Sequence, residues 1–202
     1  MAAHGHGGFE ILPARLDRAA QEALVADLRA VAAAAPLVAP VTPGGKPMSV
    51  RMTACGRLGW IADARGYRYA PRHPAGVFWP PIPPAVLALW RALCAPDRDP
   101  DCCLVNFYGA GARMGLHRDA DEGDFARPVL SISLGDPALF RMGGLRRGDP
   151  TSSVWLESGD VVVMAGSARL AYHGIDRIRF AASDLLPKGG RINLTCRVVT
   201  TA

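Results

Sequence analysis

The sequence predicts a mainly β protein of sandwich or jelly-roll type, with helices confined to its N-terminal half. Three observations carry that expectation. From about residue 101 onward, short apolar runs recur at 102–108, 129–134, 138–142, 153–156, 160–164 and 191–199. Turns such as Gly135-Asp136-Pro137, Gly143-Gly144 and Gly148-Asp149-Pro150 separate them. Both helical patterns lie before residue 100, so no helices are available for the crossovers of a parallel α/β sheet.

Taken in chain order, residues 1–15 read as a flexible, Gly-rich tail carrying His4 and His6. The tail lacks a basic region followed by an apolar core, so it is not a secretion signal. Residues 16–35 predict a helix: Leu24, Leu28 and Val31 recur at helical spacing, Asp17 suits the N-cap and Pro36 enforces the stop. Residues 41–84 combine Gly-rich turns with Met48, Met52, Trp60, Tyr67 and Tyr69, a pattern of short strands and hairpins. Their end, Trp79-Pro80-Pro81-Ile82-Pro83-Pro84, is a stiff extended connector. A second helix is expected over 84–94, with Pro84 in its first turn and Val86, Trp90 and Leu93 as its buried stripe. These assignments divide the chain into a tail (1–15), an N-terminal region of helices and hairpins (16–100) and a β core (101–202) integrated with it.

The 202 residues suffice for one domain with a substantial core and no need of disulfides. Half of the residues are hydrophobic and a fifth charged, as in ordinary globular proteins. A formal net charge of +5 suits a polyanionic partner without requiring one. The five cysteines are odd in number and form no C-x-x-C pair. Adjacent Cys102 and Cys103 would face opposite sides of a strand, so reduced thiols in a cytoplasmic protein are expected rather than a zinc site. No apolar run approaches the ~20 residues of a membrane span.

Chemistry concentrates in three places. His117 and Asp119 are two apart, so on a strand both would leave one face. His173 lies 56 residues downstream of His117 by number, beyond the apolar run that ends at Met164. Two histidines and one carboxylate on a single face are the ligand set of non-haem Fe(II) oxygenases, and leave three coordination positions free. A surface His–Asp pair and a satisfied turn histidine would give the same letters. The third feature is the last strand, which places Arg191, Asn193, Thr195 and Arg197 on one face and Ile192, Leu194, Cys196 and Val198 on the other. Two arginines on a buried face need anions, and a small dicarboxylate would serve. At strand rise the two lie about 20 Å apart, so Arg191 is assigned to its remote carboxylate and Arg197 to the metal-proximal end.

These pieces resemble the AlkB family of Fe(II)- and 2-oxoglutarate-dependent nucleic-acid dealkylases, in its bacterial DNA-repair branch. The resemblance runs from Thr42 to Arg197: Thr42-Pro43-Gly44-Gly45, Met52-Thr53-x-Cys55-Gly56-x-Leu58-Gly59-Trp60, Asn106-Phe107-Tyr108, His117-x-Asp119-x-Asp121, Gly143-Gly144-Leu145, Tyr172-His173-Gly174 and the closing R-x-N-x-T-x-R. It implies a double-stranded β-helix (jelly roll) with N-terminal helices and a nucleotide-recognition lid. By the same resemblance His117, Asp119 and His173 bind Fe(II), and Asn106, Tyr108, Arg191, Asn193 and Arg197 bind 2-oxoglutarate. Trp60, Tyr67, Asp121 and Arg147 contact the substrate. O2 is the other co-substrate. The implied reaction is demethylation of bases such as 1-methyladenine and 3-methylcytosine in single- or double-stranded DNA, with release of formaldehyde, succinate and CO2. RNA or a protein side chain is the alternative substrate, and a non-catalytic nucleic-acid-binding module the alternative class. A zinc hydrolase would leave the double-arginine strand unexplained. A monomer without membrane contact is expected. Arg113, Arg118, Arg146, Arg147, Lys46 and Arg51 supply a candidate basic rim for phosphates. Arg118 stands where the best-known bacterial members carry an amide, and Lys46 where they carry an aromatic.

Overall fold

The β-branched and aromatic runs pair into two antiparallel sheets and a separate hairpin in the computed structural model, which describes residues 4–94 and 97–201. In chain order the elements are β1 (His4–His6), β2 (Phe9–Leu12), α1 (Arg18–Ala34), β3 (Val50–Gly56), β4 (Gly59–Asp63), β5 (Gly66–Ala70), α2 (Pro84–Cys94), β6 (Cys102–Tyr108), β7 (Met114–His117), β8 (Val129–Gly135), β9 (Ala138–Met142), β10 (Ser152–Leu156), β11 (Val161–Met164), β12 (His173–Ile178) and β13 (Arg191–Arg197). The large sheet has the order β1-β2-β11-β8-β13-β6-β3 and the small one β10-β9-β12-β7; β4 and β5 pair only with each other. This is the expected jelly roll.

Burial follows the alternation. Inward residues of both sheets, including Met52, Tyr108, Phe140, Met164 and Ile175, meet in one core cluster. The other face of the large sheet packs on the helices: Leu24, Leu28 and Val31 of α1 and Val86 and Trp90 of α2 join Ile132, Leu194 and Cys196. Each such aliphatic side chain contributes about 2 kcal/mol of burial free energy. Asp17 caps α1 by accepting from the Ala20 N–H at 2.9 Å. Trp90 is core, as its spacing predicts. Cys102 and Cys103 sit in opposite core layers, and the cysteines are free.

Three expectations need correction. Residues 1–15 are not a flexible tail throughout: β2 pairs along β11, and Phe9 is 1% exposed, packing edge-on against Phe140 and His173 at 5.9 and 6.4 Å. Residues 1–3 lie outside the described residues. A four-residue strand whose partner is about 150 positions away leaves little periodic signal. The turn did carry one, because Gly7 and Gly8 both take positive φ (57° and 89°) between paired His6 and Phe9, as a two-residue type I′ hairpin demands. Second, β7 and β12 are strands outside the six apolar runs, since each borders the polar cavity. Third, β7 ends at His117, so Asp119 projects from the segment after the strand rather than from the strand itself.

Candidate metal and keto-acid site

Strand register brings the distant histidine home. His173, at the start of β12, pairs directly with His117, at the end of β7. One donor atom from each of His117, Asp119 and His173 lies within 4.8 Å of the others. The closest approaches are 3.8 Å from His117 Nε2 to Asp119 Oδ1 and 3.9 Å from His173 Nε2 to Asp119 Oδ2. Gly174 permits this approach of β12 to β7, since a Cβ there would stand 2.6 Å from the Met114 carbonyl oxygen.

Each imidazole is oriented from behind. His117 Nδ1 faces the Gly115 carbonyl and His173 Nδ1 the Ala171 carbonyl, both at 3.0 Å. A carbonyl only accepts, so the proton sits on Nδ1 and the Nε2 lone pair points to the shared centre. Burial pulls the His173 pKa down to about 4, which keeps the ring neutral and able to ligate. Burial alone would raise the Asp119 carboxyl, but the Arg197 guanidinium beside it outweighs that and holds Asp119 well below the usual carboxylate range. Arg197 donates from Nε (3.0 Å) and Nη2 (2.7 Å) to the same oxygen, Oδ2, leaving Oδ1 unclaimed by the guanidinium. Two imidazole nitrogens and one ionised carboxylate oxygen fit ferrous iron.

These donors line a cavity of about 320 Å³ between the sheets, and so do Asn106, Tyr108, Arg191, Asn193, Thr195 and Arg197. Arg191 is fully buried. Its Nη2 donates to Ser133 Oγ at 2.7 Å, its Nη1 reaches the Asp136 carbonyl only at 3.5 Å, and its Nε has no acceptor. Burial lowers its pKa to about 10, so it remains a cation at neutral pH. A buried guanidinium with unspent donors and no carboxylate in contact among the described residues is costly unless an anion arrives. Asn106 Oδ1 is likewise buried without a partner. Asn193 is held by Ser131 Oγ at 2.8 Å and the Ile132 carbonyl at 3.2 Å. The residues therefore fit a small dicarboxylate at the Arg191 end.

Arg197 differs from expectation, because the protein already meets it with carboxylates. Besides Asp119 it lies 3.3 Å from Glu122 Oε1 and 3.3 Å from the Tyr69 hydroxyl. Tyr69 donates to Glu122 at 2.6 Å, and Arg169 approaches Glu122 at 3.3 Å while donating to the Asp119 carbonyl at 2.9 Å. Sequence reasoning missed Glu122, Tyr69 and Arg169. The adjacent acids Asp121-Glu122, one exposed and one buried, were the available signal.

Over the mouth, Trp60 of β4 stacks on Tyr67 of β5 with ring centroids 5.3 Å apart and 24° between planes. Trp60 Nε1 donates to Asp121 Oδ2 at 2.9 Å. Among the described residues Asp121 has no cationic partner. Gly59 lets this hairpin rest on Trp79, whose ring a Cβ would meet at 2.2 Å. Trp60, Tyr67 and Asp121 line the cavity, as does Arg118; Arg147 does not, and lies instead over the Tyr172 ring at 5.2 Å.

A jelly-roll cavity with three convergent metal donors beside an uncompensated guanidinium defines a keto-acid-dependent non-haem iron oxygenase. Residues 8–197 match the model of the 2OG-Fe(II) oxygenase superfamily. Over 196 residues the sequence is 58% identical to an alpha-ketoglutarate-dependent dioxygenase AlkB homolog of Caulobacter vibrioides, covering 96% of this chain and 89% of that protein. It is 46% identical over 183 residues to the alpha-ketoglutarate-dependent dioxygenase AlkB of Escherichia coli, covering 88% and 84%. The solved structure of OsALKBH1 superposes with a TM-score of 0.83 at 29% identity, covering 96% of this chain and 98% of that one. The chain belongs to the AlkB family of Fe(II)- and alpha-ketoglutarate-dependent dioxygenases. The enzyme uses Fe(II), 2-oxoglutarate and O2. Among the described residues no helix is long and apolar enough to cross a membrane.

Proposed function

We propose that this enzyme repairs alkylated DNA, single- or double-stranded, by oxidative demethylation of bases such as 1-methyladenine and 3-methylcytosine. It acts as a cytoplasmic monomer, and RNA is the secondary substrate. The observation that carries the reading is the Asp121 carboxylate at the cavity mouth, held by an indole N–H and not by a cation. N-methylation makes adenine or cytosine cationic. Such a base finds in one place a π face on Trp60 and a negative charge on Asp121. To reach the cavity it must leave the stack, and the Trp60–Tyr67 pair replaces part of the lost stacking.

In this proposal His117, Asp119 and His173 hold the iron through two Nε2 atoms and one carboxylate oxygen. Arg197 keeps Asp119 ionised and occupies its Oδ2, so Oδ1 would be the oxygen free to hold the metal. Arg191 would hold the far carboxylate of 2-oxoglutarate, and Asn106, Tyr108 and Asn193 would complete its site. When bound, iron and the keto acid activate O2 to hydroxylate the N-methyl carbon, with succinate and CO2 formed and formaldehyde leaving the restored base. Arg147 acts on flanking phosphate from outside the cavity.

The test is formaldehyde and succinate release with 1-methyladenine in single-stranded DNA, double-stranded DNA and RNA, beside methylated peptides. Turnover of the methylated DNA, abolished in Asp119→Ala, is expected. Turnover of peptide alone would overturn the proposal.

A further inference from the structure

Several arginines of this chain are ion-paired: Arg18 with Glu22 and Asp184, Arg57 with Asp101, Arg68 with Asp63, Arg91 with Asp99 and Arg127 with Asp97. Others, such as Arg15, Arg29, Arg51 and Arg72, touch no carboxylate among the described residues but are scattered over the surface. The outward face of the small sheet gathers such arginines beside aromatic rings. There Trp155 of β10 and Arg177 of β12 flank Leu139 of β9 in one cross-strand row, and Arg141 of β9 stands in the row nearer the cavity mouth. Arg179 lies over the Trp155 ring at 3.9 Å and Arg177 at 5.9 Å. At the mouth end of the same sheet, Arg118 and Arg147 lie 5.9 and 5.2 Å from the Tyr172 ring.

Among the described residues Arg118, Arg141, Arg147 and Arg179 touch no carboxylate; only Arg177 has one, Asp176 at 3.8 Å. Stacking on an aromatic ring orients a guanidinium without consuming its hydrogen-bond donors, so these groups remain open to a ligand. From Tyr172 to Arg179 the track is about 23 Å long by strand rise, and it begins beside Arg118, which lines the cavity. Arginines interleaved with aromatic rings along a groove or face suit a flexible polyanion.

We propose that the outer face of the small sheet, centred on Trp155, Arg177 and Arg179, is a second nucleic-acid site. It binds the phosphodiester backbone of single-stranded DNA that continues from the lesion held in the cavity. This rests on the nucleic-acid reading above and extends it: the cavity takes the damaged base, and the track takes the flank.

The experiment is fluorescence anisotropy with single-stranded DNA carrying one 1-methyladenine, as a 5-mer and as a 25-mer, across a salt series. Arg177→Glu/Arg179→Glu is compared with Arg15→Glu/Arg29→Glu, an equal charge reversal at exposed positions elsewhere. The first variant is expected to bind the 25-mer ~10-fold or more weakly. Its log Kd against log salt should be shallower by about 1.4, for two lost single-strand phosphate contacts. Its affinity for the 5-mer and its turnover of the 5-mer should stay within twofold of the unsubstituted enzyme. Equal losses in both variants would assign the effect to net charge and overturn the proposal, as would an unchanged preference for the 25-mer. Failure of the unsubstituted enzyme to demethylate either oligonucleotide would instead overturn the repair function, so the two failures are distinguishable.

Discussion

Replacing Arg191 by methionine separates two effects of opposite sign. In the chain alone, the buried guanidinium makes one good hydrogen bond, to Ser133 Oγ at 2.7 Å, and its Nε has no acceptor. An uncompensated buried cation destabilises a fold by a few kcal/mol, so Arg191→Met should leave the ligand-free protein as stable as before or more so. With co-substrate bound the balance reverses. Truncating one partner of a buried charge-assisted pair costs about 3 kcal/mol, which is roughly 150-fold in the dissociation constant of 2-oxoglutarate. Thermal unfolding with redox-silent Mn(II), with and without 2-oxoglutarate, reads both effects. At 100 times the dissociation constant the unsubstituted protein gains about 2.7 kcal/mol, roughly 5–11 °C for a domain of this size. The variant at the same concentration should gain about 0.3 kcal/mol, roughly 1 °C. A full ligand-induced shift in Arg191→Met would refute the assignment. So would a ligand-free variant destabilised by more than about 2 kcal/mol, since Arg191 would then be a structural group.

Asp119→Ala removes a metal donor and strands Arg197, which keeps only Glu122 and Tyr69; loss of Mn(II) binding by calorimetry should accompany a destabilisation of about 3 kcal/mol in urea unfolding. Trp60→Ala should raise KM for a methylated oligonucleotide about 5–150-fold, from 1–3 kcal/mol of lost stacking, and leave KM for 2-oxoglutarate unchanged in formaldehyde-release kinetics. Asp101 offers a pH test. Burial pushes its carboxyl up, but the Thr200 N–H, Arg57 and the Val199 N–H outweigh that and hold it at about 2. A depressed carboxyl stabilises the fold above its unfolded pKa, so the unsubstituted protein should exceed Asp101→Asn by about 2 kcal/mol at pH 6, the difference vanishing as pH falls from 4 towards 2. Urea midpoints across that range check it. Phe9→Ala should destabilise by about 3 kcal/mol in the same assay, whereas a tail residue would change nothing measurable.

What was legible in the sequence was whatever repeats locally. The 3.6-residue spacing of Leu24, Leu28 and Val31, the cap at Asp17 and the two-residue alternation of β13 each announce an element from its own letters. The metal triad was legible because the residue types are chemically restrictive, even though only strand pairing could place His173 opposite His117. Contacts between elements were not legible. Whether Arg197 meets a protein carboxylate or awaits a ligand depends on where Glu122 and Tyr69 fall in space, and no periodicity reports that. β2 was hidden for a related reason: four residues are too few for a pattern, and their stability comes from β11. Arg147 was likewise not placed by its letters: the family pattern implies contact with substrate, and the fold sets the guanidinium on Tyr172, outside the cavity.

The order of the large sheet bears on how the chain is made. β13 is its last strand to leave the ribosome, yet it occupies an interior position, between β8 and β6. Until residue 197 has emerged, the sheet exists as two fragments, each with a long apolar edge carrying open backbone donors and acceptors, the geometry that invites intermolecular pairing. Closure of the sheet therefore waits on one late insertion, which also delivers the two cavity arginines, Arg191 and Arg197. A nascent chain stalled before Arg191 should aggregate or engage chaperones, and emergence of residues 191–197 should switch on solubility and co-substrate affinity together.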